Sequence, residues 1–121
     1  MKVTLMLSAL LSLSTFSTTA AGHLTMAVSP LVSFAPSSLR IRARLVPNDA
    51  NRSLEVVAES ADFYRSSLIP LEGEHAPAVI TVEFRDVPTG DYEVSSVLTD
   101  ASGERRAIAR QRVRVVATRG E

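Results

Sequence analysis

The chain has 121 residues, 13 Lys or Arg against 13 Asp or Glu, and no cysteine. A net charge of +0 at pH 7 argues against attachment to nucleic acid or to a membrane surface through bulk charge. The lack of cysteine excludes a disulfide framework, so the fold must depend on its core alone.

The N-terminus has the pattern of a secretory signal peptide. Lys2 is followed by an uncharged, mostly apolar run to Phe16 and by the small residues Thr18 to Ala21. The alternative is a membrane anchor, because the uncharged run is about 20 residues long, but Ser and Thr dilute it and it ends in small residues. We therefore expect a signal peptide over residues 1–21, cleaved between residues 20 and 22, and one domain over residues 22–121. The protein is then exported to the periplasm or the medium, with no transmembrane segment after cleavage.

The rest of the chain alternates apolar and polar residues with period two, which predicts strands rather than helices. The clearest case places Leu39 and Ile41 on one face and Arg40 and Arg42 on the other. Pro70 confines its own strand to a sheet edge. The predicted strands are Leu24–Phe34, interrupted at Pro30, then Ser38–Val46, Ser53–Glu59, Asp62–Leu71, Ala78–Val87, Asp91–Thr99 and Glu104–Ala117. This number and spacing predict an all-β, two-sheet antiparallel β-sandwich of about seven strands.

The stretch VPTGDYEV, residues 87–94, has the pattern of a tyrosine corner before the penultimate strand. Val87 would enter the core, Pro88 and Gly90 would turn the chain, and the Tyr92 hydroxyl would bond to backbone upstream. On these residues the chain resembles the immunoglobulin-like and fibronectin-type-III-like sandwiches, in the cysteine-free form found in bacterial exported proteins. The inter-sheet disulfide and core Trp of antibody domains are absent, and Val94 stands where the second Cys would fall.

A register for the last two strands follows if Thr99 faces Glu104 across the DASG turn. Glu93 then lies opposite Arg110 on the outer face, which is a favourable charge pair. The inward positions of the last strand are Ala107, Ala109, Val113 and Val115.

Two rows of arginine stand on the predicted strands and could bind a polyanion together. They belong to the second and the last strand, which lie in different sheets of such a sandwich, so a solvated charged face is the simpler interpretation. The rows are Arg40, Arg42 and Arg44, and Arg110, Arg112 and Arg114.

His23 is a candidate metal ligand. Cleavage after Ala20 exposes Ala21-Gly22-His23, in which the amine, two amides and the imidazole can wrap Cu²⁺ or Ni²⁺ in a square plane. Cleavage after Gly22 makes His23 the terminal residue, which resembles the periplasmic copper-carrier sandwiches. His75, in a predicted loop, is a second candidate ligand. A terminal histidine without any metal role is the simpler alternative.

Other sites have less support. Phe63 and Tyr64 are adjacent, so one of them should face outward as an aromatic contact for a glycan. No phosphate loop, nucleophile elbow or metal-spaced histidine pair is present. We therefore expect no enzyme activity, and no cofactor other than the candidate Cu or Ni at His23.

The main hypothesis is a non-enzymatic interaction or structural module that contacts an unknown protein or cell-envelope partner. It would contact its partner through a sheet face or an edge strand, and the candidate edge strands are Leu24–Phe34 and Arg105–Val116. The partner could also be a second copy of the protein, bound through such an edge. Copper or nickel handling and glycan binding are the alternatives.

Overall fold

The computed structural model describes residues 23–118, whose regular secondary structure is all β apart from one short 3-10 turn, Gly73–His75. The predicted signal peptide lies outside the described residues. Within the described part, no helix is long and apolar enough to cross a membrane. The strands are β1 (Leu24–Ser29), β2 (Val32–Phe34), β3 (Ser37–Leu45), β4 (Ser53–Glu59), β5 (Tyr64–Pro70), β6 (Val79–Val87), β7 (Gly90–Thr99) and β8 (Arg105–Val116).

The strands form two sheets that enclose one core. One sheet has the order β1-β3-β6, and the other has the order β2-β8-β7-β4-β5. All pairs are antiparallel except β2 with β8, which run parallel. The predicted first strand divides at Pro30, and its two parts join different sheets. The prediction of an all-β, two-sheet sandwich of immunoglobulin-like type is therefore confirmed.

Period-two alternation decides which face of each strand is buried. Along β3 the burial alternates without a break, so Leu39 and Ile41 are 0% exposed while the arginines between them face solvent. In β8 all four predicted inward residues, Ala107, Ala109, Val113 and Val115, are buried. Side chains from both sheets meet between the layers, and this contact supplies the apolar burial that stabilises a chain without disulfides.

The predicted register between the last two strands was wrong by two residues. Glu93 lies opposite Arg112, and Thr99 lies opposite Arg105, with an irregularity between Leu98 and Thr99. The turn is one residue longer than predicted, because the Asp100 carboxylate accepts hydrogen bonds from the Ser102 and Glu104 amides at 2.9 and 3.0 Å. A two-residue shift keeps each side chain on its face, so the inward set was still correct.

The sheet edges differ in part from the predicted ones. β5 is an edge strand, as Pro70 indicated, and β1 is an edge of the three-stranded sheet. β8 is not an edge along its full length, because β2 pairs with residues 114–116.

Candidate functional site

One end of the sandwich gathers His23, at the start of β1, and the loops after β3 and β5. The His23 carbonyl accepts a hydrogen bond from the Val46 amide at 3.1 Å. The next residue inward, Leu45, donates its amide to the Ala78 carbonyl at 2.8 Å, just before β6. The end of β3 is thus flanked on one side by His23 and on the other by the segment that follows His75.

Asn51 holds the loops at this end together and is 1% exposed. Its side-chain amide donates to the Val46 carbonyl at 3.2 Å, and its side-chain oxygen accepts from Arg106 Nε at 3.2 Å. Its own carbonyl accepts from the Gly73 amide at 3.0 Å. One buried asparagine therefore connects the loops after β3 and β5 to the start of β8. The sequence did not indicate this bridging role.

The two histidines lie at the same end but differ in exposure. His23 is half-buried, whereas His75 is exposed on the 3-10 turn. Over residues 23–118, no group of three or more His, Cys, Asp or Glu side chains is placed to hold a metal ion.

The two arginine rows lie on opposite outer faces, as the sequence indicated. Arg40, Arg42 and Arg44 lie on β3, in the three-stranded sheet, and are exposed. The row on β8 is balanced by carboxylates: Arg110 Nε lies 3.8 Å from Glu93, and Arg114 Nε lies 3.0 Å from Asp91. Glu93 was predicted as a neutralising group, and Asp91 was not. The groove beside Arg112 is also lined by Glu59, so its charge is mixed and does not favour an anion.

The adjacent aromatic residues have different environments. Phe63 is half-buried and meets the Tyr92 ring edge-to-face, with centroids 5.9 Å apart, while the Arg65 guanidinium lies 5.1 Å from the Phe63 centroid. Tyr64 is 60% exposed. Since a flat sugar-binding surface usually combines several aromatic faces, Tyr64 alone offers little support for glycan binding.

The corner residues have well-defined contacts. The Tyr92 hydroxyl donates to the Pro88 carbonyl at 2.7 Å, and Val87 is 0% exposed. Gly90 provides space for the ring: a Cβ there would lie 3.1 Å from Tyr92 Cε1 and 3.3 Å from Ser60. The left-handed φ of this region belongs to Asp86, at 58°, rather than to Gly90.

Replacing Gly90 by alanine should therefore lower the free energy of unfolding by about 1–3 kcal/mol, because the added methyl group overpacks the corner. Chemical denaturation followed by circular dichroism measures this. The variant Gly90→Ala should cost less in a Tyr92→Leu background, where no ring is present to clash. Equal costs in the two backgrounds would contradict the close-approach explanation.

No protein-family model matches the sequence, and no curated protein matches it. Solved structures with a similar fold include the following two. The superoxide reductase (neelaredoxin) from Ignicoccus hospitalis aligns with a TM-score of 0.61 and 13% identity, over 76% of this chain and 79% of that chain. A lytic polysaccharide monooxygenase from Jonesia denitrificans, solved by neutron crystallography, aligns with a TM-score of 0.46 and 18% identity, over 74% of this chain and 58% of that chain.

These comparisons contradict two expectations, that the protein is not an enzyme and that it has no cofactor. By its name the protein from Ignicoccus hospitalis is an enzyme, a superoxide reductase. Such redox chemistry is carried by cofactors rather than by ordinary side chains. The expectations relied on missing local motifs, but a site on a sandwich can be assembled from separate loops and leave no motif.

At these identities the likeness concerns the fold: the chain is an immunoglobulin-like β-sandwich, and a fibronectin-type-III family in particular is not supported.

Proposed function

We propose that the exported, processed protein binds Cu²⁺ or Ni²⁺ at its mature N-terminus, through Ala21, Gly22 and His23. The single observation that carries this proposal is the position of His23. It directly precedes β1 and is half-buried, and its carbonyl accepts a hydrogen bond from the Val46 amide at the end of β3. The three residues of the chelate would thus be attached directly to a rigid sheet.

The donor set supports the version in which cleavage follows Ala20. The amine of Ala21, the amides of Gly22 and His23 and the His23 imidazole are four nitrogen donors, the number that a square-planar Cu²⁺ or Ni²⁺ takes. Such a chelate requires nothing from the loops. It therefore agrees with the finding that residues 23–118 provide no group of three potential metal ligands.

Cleavage after Gly22 would give a different site. His23 would then supply only its amine and its imidazole, and a further ligand would have to come from the loops. His75 is the candidate, since the segment that follows it borders the same end of β3. The two versions make opposite predictions for His75.

The first experiment is the native intact mass of the protein from its host's exported fraction, prepared without chelators. We expect a mass that begins at Ala21 and carries one metal ion. Titration of the apoprotein with Cu²⁺ should then show one tight site that His23→Ala abolishes, because the imidazole is the only side-chain donor of the chelate. His75→Ala is the matched control and should leave the affinity unchanged.

A second variant tests the spacing. One extra residue before Ala21 moves the histidine to the fourth position. The terminal amine, two amides and the imidazole can then no longer fill the four corners of one square plane, so Cu²⁺ affinity should fall by more than about tenfold. A mature chain that begins elsewhere and binds no metal would refute the proposal. Loss of binding in His75→Ala would instead favour the version with His23 as the terminal residue.

A second candidate function is recognition of another protein chain through a sheet edge. The observation that favours it is the exposure of Tyr64 and Leu68, 60% and 66%, on the edge strand β5.

A further inference from the structure

β5 is less protected than the other sheet edges in the described part of the chain, because its only proline, Pro70, stands at its end. β1 packs beside β8 of the other sheet. β2 has three residues between Pro30 and Pro36. β6 carries exposed charges at Glu83, Arg85 and Asp86, and its Arg85 carbonyl accepts a hydrogen bond from Arg65 Nη1 at 2.5 Å. Short length, proline, charge and coverage are the usual devices that prevent edge pairing.

β5 has seven residues, Tyr64–Pro70, and its exposed positions are Tyr64, Ser66, Leu68 and Pro70, none of them charged. Its one charged residue, Arg65, is half-buried and turned toward β6 and the Phe63 ring. A second strand could therefore approach this edge without placing any charge against it.

The direction of the free backbone groups follows from the ladder with β4. The Leu71 amide donates to the Arg52 carbonyl and the Phe63 carbonyl accepts from the Ser60 amide, both at 2.8 Å. Odd-numbered residues of β5 thus point their backbone groups toward β4. Since these directions alternate along a strand, Tyr64, Ser66 and Leu68 point their N–H and C=O groups to the free edge.

We propose that two copies of the protein dimerise through this edge, with β5 antiparallel to β5 and Ser66 opposite Ser66 at the two-fold axis. Tyr64 of each copy then lies opposite Leu68 of the other, an aromatic–aliphatic pair of the kind that stabilises sheets. About six backbone hydrogen bonds connect the strands. The arrangement is isologous, so it closes at two copies instead of growing into a filament.

Pro70 fixes this register. A shift by two residues would pair Pro70 of each copy with Tyr64 of the other, and each of these two pairs would lack one hydrogen bond, since proline has no N–H. In the proposed register Pro70 falls just beyond the paired segment. On the outer face, each Tyr64–Leu68 pair is bordered by Glu59 of one copy and Glu55 of the other, so no like charges lie directly opposite across the axis.

Cross-linking tests the proposal directly, because the native chain has no cysteine. In a hydrogen-bonded antiparallel pair the two Cα atoms are about 5.5 Å apart, within the range of about 4.4–6.8 Å that a disulfide requires. Under mild oxidation Ser66→Cys should become a covalent dimer, with yield and rate at least tenfold above the control Ser38→Cys, which is exposed on the outer face of β3. Leu68→Cys is the register control, since its two copies would lie about 13 Å apart along the strands.

Analytical ultracentrifugation of the native protein, which has no cysteine, provides the second measurement. We expect a concentration-dependent dimer that Ser66→Lys disrupts, since the two introduced charges would meet at the axis, while Ser38→Lys has no effect. Circular dichroism should show that both variants stay folded. A protein that remains monomeric up to about 1 mM, or a Ser66→Cys variant that cross-links no faster than Ser38→Cys, would overturn the proposal. Neither result bears on metal binding at His23, so the two proposals fail independently.

Discussion

Replacing Tyr92 by alanine is expected to lower the free energy of unfolding by about 3–5 kcal/mol, the range for deleting a large buried aromatic ring. Tyr92 is 2% exposed, meets the Phe63 ring edge-to-face and ties its hydroxyl to the Pro88 carbonyl. Equilibrium denaturation measures the loss. Phe34→Ala is the matched control: this aromatic side chain is 57% exposed on β2, and its removal should change stability by less than about 0.5 kcal/mol.

The hydroxyl and the ring of Tyr92 can be separated with a second variant. Tyr92→Phe keeps the ring and leaves the Pro88 carbonyl without its donor, which should cost about 1 kcal/mol. A Tyr92→Phe cost close to that of Tyr92→Ala would mean that the hydrogen bond and not the ring stabilises the corner. A cost near zero would mean that water replaces the hydroxyl as donor.

The same pair of proteins gives a prediction for alkaline pH. Burial raises the pKa of Tyr92 above its ordinary value. Because the folded protein holds this proton more tightly than the unfolded chain does, Tyr92 contributes stability below the ordinary tyrosine pKa of about 10, and loses it as the pH rises through the folded pKa. Stability should therefore fall above pH 10 more steeply in the native protein than in Tyr92→Phe.

The fold was largely predictable because its signals are local. Alternation along Leu39–Leu45 fixes the buried face of β3, and proline at positions 30 and 70 marks the division of the first strand and the edge of the larger sheet. The register of β7 with β8 was not predictable to the residue, because it depends on how a single side chain, Asp100, closes the turn. The spacing of residues in the sequence does not show that the Asp100 carboxylate accepts the Ser102 and Glu104 amides within the turn.

The candidate site was less predictable than the fold. Whether His23 and His75 lie at one end depends on which loops border β3, and that is a property of the sheet order. The bridging role of Asn51 could not be predicted from the sequence either, because an asparagine in an exposed turn and a buried one can have the same sequence neighbours. The expectation that no enzyme and no cofactor were present failed for a related reason: it equated the lack of a contiguous motif with the lack of a site.

Replacing Asn51 by alanine is expected to destabilise the protein by about 2–3 kcal/mol, because the Val46 carbonyl and the Arg106 guanidinium both lose their partner, a side chain that is itself fully buried. Asn51 is 1% exposed and bonds through its side chain to the Val46 carbonyl and to Arg106 Nε. Asn48→Ala is the matched control in the same loop: its side chain accepts only the Ala50 amide, at 2.8 Å, so the cost should be at most about 1 kcal/mol. Denaturation midpoints of the two variants measure the difference, and equal costs would contradict the role given to Asn51.

The same variant distinguishes the two versions of the metal site. Val46 holds His23 through its amide and is itself held by the Asn51 side chain, so Asn51→Ala should loosen the attachment of His23 to β3. The turn that carries His75 keeps its bond from the Gly73 amide to the backbone carbonyl of residue 51. A chelate made only of residues 21–23 carries all its donors within one short segment, so its affinity for Cu²⁺ should stay within about twofold of the native value. A site that also uses His75 depends on the spacing of two loops and should weaken by tenfold or more, about 1.4 kcal/mol. The affinity is measured at a temperature where the variant is fully folded. A tenfold loss of Cu²⁺ affinity would then favour the site that uses His23 and His75 over the site made only of residues 21–23.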